Sequence, residues 1–324
     1  MNYVLVTGGA GFIASTVADQ LLAAGADVTA LDNFDPYYDP AQKRRNIRAA
    51  QANPRYELVE ADVAEAHEVD RVFARRRPDL VIHLAAKAGV RSSVADPHAY
   101  LRTNELGGLN VLDACVRHGN VPLCLASTSS VYGNSTQPPF DEEASAVCPL
   151  SPYAASKRAS ELMAYTFNYL HKLPVAVLRF FTVYGPRGRP DMAVAKFTEL
   201  LLSGQTIRMH GEETERDFTF VEDIAAGVLG AGRWISENRG FGTFNLGRSE
   251  PVRVRRLIEL LAAELGVEAK IELGELEPSE SKVTSANTAR AQAAFGYSPR
   301  ISLEEGIKAW AHWYRTSDES PRQG

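Results

Sequence analysis

The sequence predicts a parallel α/β protein, with a doubly wound sheet in its first part and a smaller domain behind it. Three observations predict this. Short apolar runs alternate with amphipathic ones from the start of the chain to residue 180. A glycine cluster, Gly8-Gly9-Ala10-Gly11, separates the first such pair. Beyond Gly185-Pro186 the alternation gives way to a Pro-, Gly- and Arg-rich stretch and to shorter segments. Repeated strand–helix order favours a parallel sheet, because each crossover returns the chain in the same direction.

The first strand spans 2–7, the glycine turn follows, and 16–24 reads as an amphipathic helix closed by Gly25. The next strand, 28–31, ends in Asp32. Glycines at Gly8 and Gly11 let the backbone approach a pyrophosphate, and a helix N-terminus faces its negative charge. Ala14 stands at the third glycine position, where alanine is tolerated at the close helix–strand contact. Asp32 lies about twenty residues past the turn, where a carboxylate takes the adenosine ribose hydroxyls. An acid there repels a 2′-phosphate, so the expected cofactor is NAD and the expected fold a Rossmann sheet.

The alternation continues with strands at 56–60, 80–84 and 121–126 and helices at 65–76 and 100–118. Asp62-Val63 follows one strand end as a candidate adenine contact. Ala85-Ala86-Lys87 follows another and should pass the cofactor phosphates, with Lys87 available to pair with one. His83, inside a strand, reads as a core histidine. The strand at 121–126 opens into a row of hydroxyls, Ser127-Thr128-Ser129-Ser130. A helix follows at 153–170, with Ser151 as N-cap and Pro152 at its first position. Tyr153 and Lys157 are four apart and share one helix face. A Tyr and a Lys beside a row of hydroxyls can move a proton on and off a sugar hydroxyl. After the strand at 175–180, segments at 218–232 and 241–246 are expected to return to the first domain. The division expected is 1–181, joined by about 217–248, for NAD binding and 182–324 for substrate binding. The run 302–313 reads as an amphipathic core helix with Leu303, Ile307 and Trp310 inward, and 316–324 as a frayed end.

The totals exclude several classes. The chain of 324 residues is 45% hydrophobic and 23% charged, with net charge −5, which argues against a nucleic-acid partner. No apolar run is long enough to span a bilayer. Cys115, Cys124 and Cys148 have neither metal-ligand nor paired spacing, so no metal is expected and a reducing, cytoplasmic setting is. The runs Lys43-Arg44-Arg45 and Arg75-Arg76-Arg77 read as solvated helix ends.

With these residues in place the chain resembles the extended short-chain dehydrogenase/reductase family, the nucleotide-sugar epimerases and dehydratases. The motifs are Thr7-Gly8-Gly9-Ala10-Gly11-Phe12-Ile13, His83-Leu84-Ala85-Ala86, Ser129-Ser130-Val131-Tyr132-Gly133, the Tyr153/Lys157 pair, Arg179-Phe180-Phe181 and Arg216-Asp217-Phe218-Thr219. Within that family it is similar to the UDP-glucuronate 4-epimerases at Leu31-Asp32-Asn33-Phe34 with Tyr37-Tyr38-Asp39, at Ala88-Gly89-Val90-Arg91-Ser92-Ser93, and from Arg179 through Thr182 to Arg189-Pro190-Asp191-Met192-Ala193. The resemblance implies an NAD site that also uses Phe12, Ile13, Asn33, Leu84, Asn104 and Phe180. It implies a UDP-sugar substrate held by Arg189, Arg216 and Met192, and a homodimer through a four-helix bundle of the helices at 100–118 and 153–170; Arg91, on a loop after a strand end where ligands gather, is a further candidate for the substrate's anionic groups, and Glu280 for a uridine ribose hydroxyl. Tyr153 is then the base on O4, with Lys157 favouring its phenolate and Thr128 bonding O4. Relatives that dehydrate or decarboxylate sugars carry acids in the hydroxyl row. Here Thr128-Ser129-Ser130 offers none, which implies epimerisation at C4 with Ser129, Ser130 and Thr182 restraining the sugar carboxylate. A 4-epimerase of neutral UDP-sugars and a 4-reductase are the alternatives.

Overall fold

A computed structural model describes residues 1–134, 137–275 and 281–320. Its strands are β1 (Tyr3–Thr7), β2 (Asp27–Asp32), β3 (Tyr56–Glu60), β4 (Leu80–His83), β5 (Leu123–Thr128), β6 (Val175–Phe180), β7 (Thr182–Tyr184), β8 (Ile207–His210), β9 (Glu215–Phe220), β10 (Phe241–Leu246), β11 (Pro251–Arg253) and β12 (Ile271–Gly274). Seven of them form one parallel sheet in the order β3-β2-β1-β4-β5-β6-β10. The order reverses beside β1, so a crevice opens at the carboxyl ends of β1 and β4, the place where such sheets take ligands.

The helices are α1 (Phe12–Ala23), α2 (Pro40–Gln51), α3 (Ala66–Arg75), α4 (Val90–Ala95), α5 (Pro97–Tyr100), α6 (Gly107–Arg117), α7 (Pro152–His171), α8 (Ala193–Leu202), α9 (Val221–Asn238), α10 (Val254–Leu265), α11 (Ala289–Phe295) and α12 (Leu303–Thr316). Alternate strand residues feed two apolar layers, because side chains of a strand point to opposite faces. Val4, Val6, Leu80 and Ile82 pack with Val17 and Leu21 of α1 and Ile224 and Val228 of α9. Leu5, Val81, Leu123 and Leu125 pack with Val72 of α3, Leu112 of α6 and Ala164 of α7. Burial on both faces accounts for the nearly continuous apolar strands. A third core joins β8 and β9 to α8, α10 and α12 through Ile207, Phe218, Leu257, Ile307 and Trp310. Ser302 and Glu305 cap α12 reciprocally, a motif that contributes about 1 kcal/mol.

The structure departs from the sequence reading at several points. α1 begins at Phe12, directly after the glycine turn, rather than at residue 16. The run 100–118 is interrupted by a π-helical turn, Leu101–Leu106. The hydroxyl row starts inside β5, which carries Ser127 and Thr128. Of the segment expected to return, α9 and β10 join the large sheet's layers, while β9 pairs with β7 and β11. Lys43 is not a solvated helix end: α2 buries it to 8% exposure. The end of the chain is tied down as far as residue 320. Ser320 is buried, and Arg187 binds Glu319 at 2.8 Å and Asp19 of α1 at 2.5 Å. Polar residues there make ion pairs that apolar periodicity cannot announce.

Candidate active site

The crevice is a cavity of about 410 Å³ lined by residues from the segments that follow β1, β2, β3, β4, β5 and β6 and from α7. At its β1 end Gly8 has φ +67°, and a Cβ there would lie 2.8 Å from the backbone of Ala85. Only glycine fits, because both the left-handed backbone and the close approach exclude a side chain. Gly11 caps α1 without a side-chain hydrogen bond, and the first turn of α1 carries no acid. The unpaired N–H groups of that turn are an anion site, and Gly8, Gly11, Phe12 and Ile13 line the cavity there.

Asp32 ends β2 at the neighbouring wall. Its Oδ2 accepts from Ala10 N at 3.1 Å, and its Oδ1 from Phe34 N at 2.8 Å and Lys43 Nζ at 3.4 Å. The carboxylate is thereby fixed in place. Asn33, Val63, Leu84, Ala85, Ala86, Lys87 and Phe180 also line the cavity. Lys87 Nζ donates to Asp35 Oδ1 at 3.1 Å, so in the protein alone its partner is a carboxylate. These donors, the glycine approach and the held acid fit an NAD molecule along the carboxyl edge of the sheet.

At the other end Tyr153, Lys157, Thr128, Ser129 and Ser130 face one space with Thr182, Arg189 and Met192. Ser151 caps α7 and Pro152 opens it, which presents Tyr153 in the first turn. Lys157 is 4% exposed and donates to the Ala126 carbonyl at 2.8 Å. Burial pushes its ammonium down to about 8, against the pull of Glu161. Burial raises the Tyr153 phenol, while the Thr128 hydroxyl and the Arg189 charge draw it back. Thr128 Oγ1 accepts from Ser130 N and donates to Ser130 Oγ, both at 3.2 Å. His83 is the core histidine expected: Thr7 meets its Nδ1 at 2.7 Å, and burial, then Lys157, lowers it to about 3.

Arg189 forks onto Asp191 at 3.0 and 2.6 Å and reaches the Ala88 carbonyl. Tyr37 donates to Asp191 at 3.1 Å and meets Ser92 at 2.8 Å. This cluster joins the loops after β2 and β4 to the stretch after β7. Sequence reasoning quoted Tyr37 and Asp191 without giving them a part, and it read Lys43 as a solvated helix end instead of the partner of Asp32.

Other expected residues sit elsewhere. Arg91 is exposed on α4, outside the lining, because the helical turn points it away from the loop it follows. Arg216 lies on β9, where it donates to the carbonyls of Glu215 and Lys282. Asp62 stands behind the wall, engaged by Arg102 at 2.8 Å. Asn104 is buried there too, bonding Lys87's backbone and Ser156; it shapes the phosphate loop instead of facing the cavity. Glu280 lies outside the described residues.

A family model described as the NAD dependent epimerase/dehydratase family matches residues 4–247. The chain belongs to this family. Its cofactor is NAD. A UDP-glucuronate 4-epimerase of Thermodesulfobacterium geofontis is 37% identical over 321 residues, covering 98% of each chain. Among solved structures, the UDP-glucuronic acid 4-epimerase of Bacillus cereus, in complex with UDP-glucuronic acid and NAD, superposes with TM-score 0.90 at 30% identity, over 96% of this chain and 98% of that one. The UDP-glucose 4-epimerase of Thermus thermophilus, in complex with NAD, gives 0.85 at 31%, over 97% and 99%.

Proposed function

We propose that the protein interconverts UDP-glucuronate and UDP-galacturonate by inversion at C4, through a transient 4-keto sugar and without loss of the carboxylate. It is an isomerase. The reading is carried by the sugar end of the cavity, where neutral hydroxyls surround Tyr153. Among the described residues the acids lining the cavity are Asp32, Asp35 and Asp191. Each is already engaged, by Lys43, Lys87 and Arg189 respectively. A general acid or base for eliminating water is therefore lacking beside the hydroxyl row.

When bound, NAD takes up and returns the C4 hydrogen, and its positive ring favours a phenolate at Tyr153. Tyr153 removes the O4 proton and gives it back to O4 once the keto sugar has turned, so that the hydride returns to the opposite face of C4. Starting from the ordinary phenol value, work near neutral pH requires a drop of about 3 pH units, or about 4 kcal/mol. Lys157 contributes by remaining a cation below about pH 8, since a nearby cation favours the phenolate. Thr128 bonds O4 and positions the proton. Ser129, Ser130 and Thr182 bind the carboxylate and keep its C–C bond out of the perpendicular alignment that releases CO2 from a β-keto acid. Arg189 supplies the charge for that carboxylate or the diphosphate. We place the boundary between NAD-binding and sugar-binding parts at 181/182, and assign dimer formation to the helices at 100–118 and 153–170, whose Leu106, Leu162, Tyr165 and Tyr169 are exposed.

Proton NMR of UDP-glucuronate with the enzyme and NAD tests the reading: UDP-galacturonate is expected, and a pentose product or no change refutes it. Ser130→Glu should raise CO2 release; continued formation of UDP-galacturonate alone refutes the part given to the hydroxyl row. The Thermus thermophilus match, at similar identity, keeps a neutral UDP-sugar in view, and side-by-side rates on UDP-glucose decide it.

A further inference from the structure

Arg179 opens a stretch that marks the family, yet it does not line the cavity. It is buried, and it points at Glu161, the residue one helical turn beyond Lys157 and two beyond Tyr153 on the same face of α7. Glu161 is 3% exposed. Its Oε1 accepts from Ser127 Oγ at 2.5 Å and from Arg179 Nε at 2.9 Å. Its Oε2 accepts from Arg179 and from Arg158, both at 2.8 Å. Burial works to raise the carboxyl, but the two guanidiniums and Ser127 bring it below the usual range.

The place of Ser127 gives this cluster a connection to the chemistry. Ser127 pairs with Arg179 across β5 and β6. It lies between Ala126, whose carbonyl receives Lys157, and Thr128, which faces Tyr153. The end of β5 is thus tied to α7 by a side-chain bond at the point where strand and helix meet over the sugar. We infer that Glu161 is a positioning residue for the Tyr153/Lys157 pair, holding the end of β5 through Ser127 and supplying the negative charge that keeps Lys157 protonated. This rests on the proposed part of Tyr153 and Lys157 in proton transfer.

The charges around Lys157 come from three elements. α7 brings Glu161 and Arg158, β6 brings Arg179, and β4 brings His83, which is neutral at working pH. Glu161 is the anion among them. Its two guanidinium partners hold it in place from the far side, so removing its charge leaves Lys157 facing cations alone.

The test uses the purified enzyme with NAD and UDP-glucuronate, with UDP-glucose as a second substrate, and reads kcat and KM against pH. Glu161→Gln keeps the volume and an acceptor for Ser127 but removes the charge. Its alkaline limb should move down by about one pH unit, with KM little changed. Ultraviolet difference titration against Tyr153→Phe should show the phenolate appearing at higher pH in the same variant. Ser127→Ala keeps the charge and cuts the tie, and should lower kcat about tenfold with the limb in place. An unshifted limb in Glu161→Gln overturns the inference, as does wild-type kcat in Ser127→Ala. If Glu161→Gln gives no folded protein, Arg158→Gln, at a partly exposed position, reads the same charge with opposite sign. Its limb should move up, and a fixed or lowered limb overturns the inference. Tyr153→Phe separates the two levels: turnover by that variant sinks the proposed function, whereas an inactive Tyr153→Phe with unmoved limbs elsewhere sinks only the part given to Glu161.

Discussion

Replacing Lys157 with methionine is expected to end turnover and yet make the fold more stable. The ammonium is buried, and burial lowers its pKa from 10.5 to about 8. A gap of about 2.5 pH units corresponds to about 3 kcal/mol by which the charged group disfavours folding at neutral pH. Methionine fills similar space without the charge. The Ala126 carbonyl loses its donor, which takes back about 1 kcal/mol, leaving a net gain of about 2 kcal/mol. The sign with pH is definite. The folded protein releases this proton near pH 8 and the unfolded chain near 10.5, so between those values the unfolded chain binds more protons. The wild type therefore gains stability as pH rises through that window, while the methionine variant lacks the gain. Urea denaturation of the two proteins side by side measures the difference, and other titrating groups cancel in it. The advantage of the variant should be full below about pH 8 and fade towards 10.5. A variant less stable than wild type at neutral pH, or a difference constant across the range, would refute the reasoning.

Asp32→Ala should destabilise the protein by about 3 kcal/mol, because Lys43 is left buried without its counter-charge; Asp32→Ala combined with Lys43→Met should recover much of that loss in urea melts, while calorimetry still finds NAD binding weakened. Asp191→Asn unfastens Arg189, and with a charge-assisted bond contributing about 1.5 kcal/mol, kcat/KM for UDP-glucuronate should fall about tenfold. Unchanged kinetics would show that the Arg189 fork does not position substrate. Leu162→Glu with Tyr169→Glu should convert a dimer into a monomer in sedimentation equilibrium, and a wild type already monomeric removes the bundle from the account.

The large sheet was legible because its signals are local and periodic: strand, glycine turn, helix and Asp32 follow one another within a short span. The Tyr153/Lys157 pair was legible for the same reason, since helical spacing alone puts both on one face. Lys43 was not, because α2 buries Gln42, Lys43 and Asn46 as well as Ile47 and Ala50, and polar residues buried by specific partners leave no hydrophobic period. Arg91 and Arg216 lie outside the cavity lining, on α4 and β9, and their place in the fold follows from the turn of α4 and the pairing of β9 rather than from local spacing. The cluster of Tyr37, Ser92, Arg189 and Asp191 draws on three distant segments, and such convergence is a property of the tertiary fold.

The anchoring of the final turn has a practical side. Glu319 and Asp19 share Arg187, which lies two positions ahead of Arg189. A preparation clipped by protease after residue 316 leaves that guanidinium half-served and slackens the loop that reaches the sugar. Such material should bind NAD at full strength yet need more sugar nucleotide to saturate, so poor turnover in it points to proteolysis and not to damaged chemistry.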